Sequence, residues 1–389
     1  MALPLRYNAR NLFVRWKVTL LAIFGIGLVV TVLVTLLAMA AGFRLALRAT
    51  GSPDNGIVVQ RGSGSELSSF FSQEHANRIA VDERVARGED GEPLASPEIV
   101  IVANLPRRAD GAPTNVTVRG VTPRAFAVRE GIEIVQGNPF TPGLDEIIVG
   151  ERIHARMKGL EVGSRVSIQK REWNVVGVFV ADGGAFESEI WGSYEVMGPA
   201  FNRTGGQNSL TVRLADPSAL AAFDGELQAD PRMQVQMVGE RQYYEDQSGP
   251  VTMPLTVLAT FVSVVMGIGA VFGAMNTMYA IVAARTREIG TLRAIGFSRR
   301  SILFCFLVES VFLALVGGAV GCLLAFPMNG FNTATGYTAS FSEVAFAFRV
   351  TPPSLIAGML FALVMGVIGG LLPSARAARL PIASALREA

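Results

Sequence analysis

Residues with the chemistry of catalysis or metal binding are scarce in this sequence. It contains two histidines, His75 and His154, and two cysteines, Cys305 and Cys322, among 389 residues. Two histidines exclude a multi-histidine metal site, and each is interpreted as an ordinary surface or structural residue. No lysine follows a glycine, so the Gly-Lys-Ser/Thr loop that holds nucleotide phosphates is absent. We therefore expect a non-catalytic chain without a catalytic, metal or cofactor site.

The elements that could position functional residues are largely membrane-spanning. Half of the residues are hydrophobic and only 17% are charged, against about 25% in soluble domains. Because about 20 apolar helical residues cross a bilayer core, long uncharged runs predict transmembrane helices. The uncharged runs are 18–42, 248–284, 310–342 and 351–375. The first run exceeds the roughly 7–15 apolar residues of a signal peptide, so we interpret it as an uncleaved span.

Charged residues are distributed unevenly around these runs. The residues before the first run include four basic and no acidic side chains, and residues 285–300 include five basic and one acidic. Residues 43–250 carry 21 basic and 28 acidic side chains, a net charge of −7. Since basic loops stay in the cytoplasm, both termini and the short basic loop are predicted to be cytoplasmic, and the long acidic segment external.

The predicted fold is a membrane α-helical protein with four transmembrane helices and an extracytoplasmic α+β domain. Nine segments follow from the runs and the charges. They are a cytoplasmic N-terminal segment (1–17), transmembrane helix 1 (18–42), the extracytoplasmic domain (43–250), a stalk with transmembrane helix 2 (251–284), a cytoplasmic helix (285–300), transmembrane helix 3 (301–326), an extracytoplasmic loop (327–350), transmembrane helix 4 (351–373) and a cytoplasmic tail (374–389).

Alternating apolar residues between turns indicate strands in the external segment. The predicted strands are 56–60, 98–102, 115–119, 165–169, 173–180 and 209–213. Helical patterns cover 68–78 and 217–228, the second with Asp216 as its N-cap, and residues 82–93 are predicted to form a loop. A boundary between two lobes is a candidate at 137–146.

The uncharged run 248–284 is longer than one membrane crossing. As a single helix its 37 residues would extend about 55 Å, which favours a stalk beyond the membrane. A loop through 248–250, with the helix starting near Met253, is the alternative. Cys305 and Cys322 both fall in the third span, about 25 Å apart along one helix, and cannot form a disulfide.

The segment 285–300 is predicted to be a short amphipathic helix parallel to the membrane surface. Ile289, Leu292 and Ile295 lie on or near one stripe, and Gly296 suits the position that ends a helix. Ser298 can cap the helix that follows. A simple anchor in the lipid headgroups is the alternative interpretation.

The run from Arg285 to Ile302 resembles the R-x-R-E-I-G-x-L-R-A-x-G signature of FtsX/MacB-type ABC transporter permeases. The tail from Gly370 to Arg387 is similar to that family's closing motif, with Ser374 as a minor departure. Weaker similarities are the opening Tyr7-x-x-Arg10-Asn11-Leu12, the Phe306-Leu-Val-Glu309 of span three, and external sequences at 149–151 and 173–179 that resemble a MacB-type periplasmic domain.

The resemblance implies a permease subunit in a bacterial inner membrane that works by mechanotransmission. The ATPase would be a separate chain, because only about 17 residues precede the first span. Two copies of it would bind ATP and magnesium, and this chain would bind no cofactor. A second permease copy or a paralogue, a periplasmic adaptor protein and membrane lipid are the other expected partners, and no nucleic acid is expected. The work would be export of a substrate; the alternatives are Lol-like lipoprotein or lipid extraction, and FtsX-like regulation of cell-wall hydrolases without transport.

Two groups of site residues follow. The resemblance assigns contact with the ATPase to residues of the basic helix, namely Arg285, Arg287, Glu288, Ile289, Gly290, Leu292, Arg293 and Gly296. Close helix packing or gating in the membrane is assigned to Gly269, Gly273, Glu309, Gly317 and Gly321. The glycines, like the pair Gly366 and Gly370, could equally reflect the high glycine content of membrane helices. Glu309 could instead be a carboxylate near the interface that reaches water.

Overall fold

The computed structural model describes residues 16–337 and 342–382. The Tyr7–Leu12 opening motif and the end of the tail motif lie outside the described residues. The chain forms two compact units. The helical unit comprises Met1–Ala41, Met253–Phe331 and Phe348–Ala389, and the α+β unit comprises Gly42–Thr252 and Asn332–Ala347.

Four of the described helices are long and apolar enough to cross a membrane. In chain order, the helices are α1 (Trp16–Arg48), α2 (Gln73–Ala80), α3 (Arg124–Val128), α4 (Glu151–Arg156), α5 (Tyr194–Ala200), α6 (Leu220–Ala229), α7 (Glu240–Gln247), α8 (Gly249–Ala284), α9 (Thr286–Ala294), α10 (Arg299–Ala325) and α11 (Pro352–Arg379). The residue ranges of the four long helices, α1, α8, α10 and α11, overlap those of the four predicted spans.

The starts of the long helices have local causes. Ser298 accepts a hydrogen bond from the backbone N–H of Ser301 and so caps α10, as predicted. Thr351 and Ser354 form a capping box at the start of α11, with Pro352 at its first position, where the missing N–H costs nothing. Helix α8 begins at Gly249 and runs for 36 residues. The alternative in which a loop delays that helix to Met253 is therefore wrong.

The α+β unit is built on one large mixed sheet. The strands are β1 (Asn55–Gln60), β2 (Phe71–Ser72), β3 (Ala95–Pro106), β4 (Pro113–Val121), β5 (Ile132–Gly137), β6 (Glu146–Gly150), β7 (Arg165–Ile168), β8 (Arg171–Ala181), β9 (Glu189–Ser193), β10 (Gly206–Gln207), β11 (Ser209–Arg213), β12 (Val235–Gly239), β13 (Asn332–Tyr337) and β14 (Ser342–Ala347). The sheet order is β12-β1-β11-β3-β4-β9-β6-β8-β5, with β7 also paired to β8.

The six predicted strands are confirmed as β1, β3, β4, β7, β8 and β11. The candidate lobe boundary at 137–146 lies between β5 and β6, which belong to the same sheet. The helix predicted at 68–78 begins later, at Gln73, because Ser72 caps it by accepting from the N–H of His75. Asp216 caps a 3₁₀ turn that leads into α6.

The segment between the third and fourth spans, predicted as a loop at 327–350, contains the β13–β14 hairpin. The hairpin belongs to the α+β unit. The Ser342 and Thr117 hydroxyls are 2.7 Å apart, and Arg156 donates to the Glu343 carboxylate at 3.1 Å. The Phe346 ring meets Phe43 edge-on, with ring centroids 5.4 Å apart. The hairpin is therefore a packed part of this unit.

Candidate functional site

Helix α9 is a nine-residue helix held between two long helices of the helical unit. A single residue, Arg285, separates it from α8, and its other end closes in a Schellman motif. The N–H of Phe297 donates to the Leu292 carbonyl at 3.1 Å, and the N–H of Gly296 donates to the Arg293 carbonyl at 3.2 Å. Gly296 has a φ of +105°, which confirms the prediction that glycine ends this helix.

One face of α9 packs into an apolar cluster of the helical unit. Ile289 is 1% exposed, Gly290 is buried, and Leu292 packs against the same cluster. The other buried members of the cluster are Met278, Ile281, Val282, Ile302, Phe306, Ala377 and Ala378. These side chains come from α8, α10 and α11, so α9 is packed against all three helices. Ile289, Gly290 and the partly buried Leu292 therefore position the helix.

The opposite face of α9 is exposed. Arg287 and Thr291 are exposed, and the Glu288 side chain is 46% exposed. Ile295 is 68% exposed, so it does not share the stripe predicted for Ile289 and Leu292. The physical reason is that, at about 100° per residue, Ile295 lies about 120° around the helix from Ile289 and beside the exposed Glu288. We call Arg287, Glu288, Thr291 and Ile295 the exposed face of α9.

Arg285, which the sequence analysis assigned to ATPase coupling, is a buried residue. Its side chain is 10% exposed, and its Nη1 lies 3.0 Å from Glu309 Oε2 in α10. Glu309 is 2% exposed at its side chain, so the alternative of a carboxylate that reaches water is wrong. Arg285 Nε also lies 3.7 Å from Glu288 Oε2. Thus Arg285 has one buried and one half-exposed acidic neighbour.

Arg293 ties α9 to the end of α11. Its Nη1 donates to the carbonyls of Ala378 and Leu380 at 3.1 and 3.2 Å. The last carbonyls of a helix have no partner within the helix, and a cation near them is favourable. Arg285 and Arg293 therefore fasten α9 to two different long helices.

The predicted membrane glycines divide into two groups. A Cβ on Gly317 would lie 2.9 Å from the Ile23 carbonyl, and one on Gly321 would lie 2.4 Å from the Gly27 carbonyl. These two glycines therefore permit close packing of α10 on α1. A Cβ on Gly269 or Gly273 would meet nothing within 4 Å, so neither packs against another described helix of this chain. Glycines of α11 pack against α10, for Gly370 would place a Cβ 2.5 Å from Ser310.

The α+β unit contains a buried charge cluster that the sequence analysis did not identify. Its six members are Glu66, Glu98, Arg119, Arg129, Glu189 and Glu240, each less than 9% exposed. Arg119 donates to Glu66, Glu98 and Glu189 at 2.7, 2.6 and 2.7 Å. Arg129 pairs with Glu98 and, at 2.7 Å, with Glu240, the first residue of α7.

Four carboxylates face two guanidinium groups in this cluster, so acid is in excess. Burial alone would raise the pKa of Glu66, but the charge and hydrogen bonds of Arg119 outweigh burial and hold that pKa below its usual range. Burial raises the pKa of Glu189, and the nearby Glu66 adds to the rise, although Arg119 opposes it. The cluster joins three strands, a 3₁₀ turn, the end of α3 and the start of α7.

Two family models match this chain. The MacB-like periplasmic core domain matches residues 19–230, and the FtsX-like permease C-terminal domain matches residues 260–382. These matches agree with the structure, which has four apolar helices, a periplasmic-type α+β domain and a short packed helix between spans two and three. Together these features define a class of membrane permease. The chain belongs to the family of MacB- and FtsX-like ABC transporter permeases.

Individual relatives give the extent of the similarity. The macrolide export ATP-binding/permease protein MacB of Hahella chejuensis is 24% identical over 95% of this chain and 58% of its own length. The uncharacterized ABC transporter permease YknZ of Bacillus subtilis is 28% identical over 70% of each chain. The crystal structure of the periplasmic region of MacB from Actinobacillus actinomycetemcomitans matches 50% of this chain and 92% of its own at 15% identity, with a TM-score of 0.37. The chain thus spans 58% of the length of that MacB relative.

Proposed function

We propose that this chain is the force-transmitting permease subunit of an export complex in the bacterial inner membrane, with both termini in the cytoplasm. A separate ABC ATPase, in two copies with ATP and magnesium, would dock on the exposed face of α9, and two permease copies would complete the core. A periplasmic adaptor would act with the α+β unit. The MacB relatives, whose name describes macrolide export, support export as the kind of work.

The geometry of α9 is the observation that carries the proposal. The helix offers Arg287, Glu288 and Ile295 to a partner, while Ile289 and Arg293 fix it to the other helices. An exposed isoleucine between charged side chains resembles the apolar centre and polar rim of a protein interface. Because α9 is packed on α8, α10 and α11, a push on its exposed face displaces those helices together. This combination suits a lever better than a headgroup anchor.

Two neighbouring residues of α9 that differ in exposure allow a controlled test. Thr291 is exposed, and Leu292 packs in the apolar cluster. Both cysteines, Cys305 and Cys322, are first replaced by serine. Single cysteines at 291 or 292 are then treated with a short bifunctional crosslinker in membranes that contain the native ATPase, which is identified by its own Walker motifs.

A crosslink from position 291 and none from position 292 is the expected result. Cargo-stimulated ATP hydrolysis should also fall in Ile295→Asp, since a buried interfacial apolar anchor would gain an unpaired charge. Membrane abundance of the variant should be unchanged because the side chain is exposed. Absence of an ATPase crosslink at 291 in every nucleotide state would contradict docking on α9.

A further inference from the structure

We propose that Arg285 is a positioning residue that relays displacement of the exposed face of α9 to Glu309 inside α10. The inference rests on the proposed function, because it assigns the internal path by which ATPase docking would reach the third span. Arg285 occupies the single-residue joint between α8 and α9, with φ −112° and ψ 14°. A rotation at this joint reorients α9 while α8 stays continuous.

Arg285 is placed between two carboxylates in different surroundings. Glu309 is 2% exposed and lies 3.0 Å from Nη1, whereas Glu288 is 46% exposed and lies 3.7 Å from Nε. The Arg285 guanidinium also lies over the Phe306 ring, with Cζ 5.8 Å from the centroid. The buried partner interacts in a lower dielectric than the exposed one. The resting orientation of the guanidinium is therefore set by Glu309.

The Arg285 guanidinium has an unused hydrogen-bond donor in this arrangement. Its Nη2 has no hydrogen-bond partner among the described residues, although guanidinium offers five donors. A buried donor without a partner is costly, so a small movement that supplies an acceptor is favoured. Glu288 is on the exposed face of α9 and moves with it. Movement of that face therefore changes how Arg285 divides its donors between Glu288 and Glu309.

Glu309 passes the change into the third span. Its neighbour Ser310 donates to the Gly366 carbonyl of α11 at 2.8 Å, so this level of α10 is fastened to α11. A shift of Glu309 would therefore displace both α10 and α11. The same pair could instead only stabilise the fold, and the experiment must separate the two roles.

A double-mutant cycle on the whole complex tests the relay. The permease and its native ATPase are reconstituted in lipid nanodiscs, and ATPase affinity and the ATP turnover that the permease stimulates are measured separately. We expect Glu309→Gln to reduce stimulated turnover about tenfold while ATPase affinity stays within about twofold, as for coupled groups in contact. Glu288→Gln combined with Glu309→Gln should be no worse than the stronger single variant. Independent effects that multiply would overturn the relay.

Arg287 provides the matched control for the cycle. It lies one residue before Glu288 on the exposed face, and its effect on docking should be independent of Glu309. Arg287→Gln and Glu309→Gln are therefore expected to combine multiplicatively. If both cycles give the same result, Glu288 is not specially connected to Glu309 and the inference is wrong.

A second variant keeps the test valid if single substitutions unfold the protein. Replacing a buried ion pair by apolar residues of similar volume often preserves stability. Arg285→Met with Glu309→Met should therefore restore abundance but leave stimulated turnover about tenfold low. Recovery of turnover together with abundance would show that the pair is only structural. A lost crosslink at position 291 would instead indicate failure of the proposed function, whatever the cycle shows.

Discussion

Replacing Arg119 with methionine should severely destabilise the α+β unit. Arg119 is 1% exposed at its side chain and contacts Glu66, Glu98 and Glu189 through five hydrogen bonds between 2.6 and 3.1 Å. Removing one partner of a buried pair costs about 3–5 kcal/mol, because the other charge stays buried. Three carboxylates lose a donor here, so we expect about 5 kcal/mol, a large fraction of a typical domain stability of roughly 5–15 kcal/mol.

Tryptophan fluorescence reports this change directly. Trp191 Nε1 donates to Glu189 Oε2 at 2.8 Å, so its emission senses the cluster. Trp16 and Trp173 are replaced by phenylalanine in the full chain, and urea unfolding is followed in nanodiscs. The free energy of unfolding is obtained by linear extrapolation.

Two further variants make the result interpretable. Arg78→Met removes an exposed pair, in which the arginine side chain is 60% exposed and lies 3.2 Å from Asp230, and should cost less than about 1 kcal/mol. Adding Glu66→Gln and Glu189→Gln to Arg119→Met should recover part of the loss, because the unpaired charges are removed. If Arg119→Met costs no more than Arg78→Met, the electrostatic reasoning is refuted.

Three other outcomes are expected. A membrane-impermeant thiol reagent should label a cysteine at Ser63 but not at Ser384 in intact spheroplasts, and the reverse pattern would reject the predicted topology. The hydrogen bond from Arg84 holds the pKa of Asp82 below its usual range. The stability that ionised Asp82 contributes is therefore present above pH 3.8 and is lost as the pH falls through the lowered pKa. The urea midpoints of wild type and Asp82→Asn should differ at pH 7 and converge in acid, and an equal difference at both pH values would contradict this. Gly296→Val places a β-branched residue at a φ of +105°, costing about 1–3 kcal/mol, so stimulated ATPase activity should fall with membrane abundance preserved; wild-type activity would mean that the end of α9 tolerates distortion.

Local chemistry made parts of this structure predictable from sequence. Uncharged runs located the four long helices, and alternation located six strands of the large sheet. Gly296 and Ser298 were assigned correctly because a left-handed C′ position and an N-cap depend on neighbours within a few residues. These features need no knowledge of distant contacts.

Features that depend on distant partners were missed or misassigned. The ion pair of Arg285 with Glu309 was not predicted, because the two residues are 24 positions apart in the chain. Strand β13 was predicted as part of a loop, because its sequence Asn-Thr-Ala-Thr-Gly-Tyr shows no alternation of apolar residues. Glu98 and Arg119 were treated as residues at strand ends. Only the pairing of β3 with β4 brings them together inside the unit.

The hairpin has a consequence for the order in which the protein matures during synthesis. The α+β unit is assembled from Gly42–Thr252 and Asn332–Ala347, so its last strands leave the ribosome only after two further spans have been made. Until then Phe43 lacks the Phe346 ring beside it, and Thr117 lacks the Ser342 hydroxyl. The α+β unit therefore lacks β13 and β14 while α8, α9 and α10 are being translated. A nascent chain arrested before residue 332 would leave this surface exposed, so the unit can be completed only after α10 has been made.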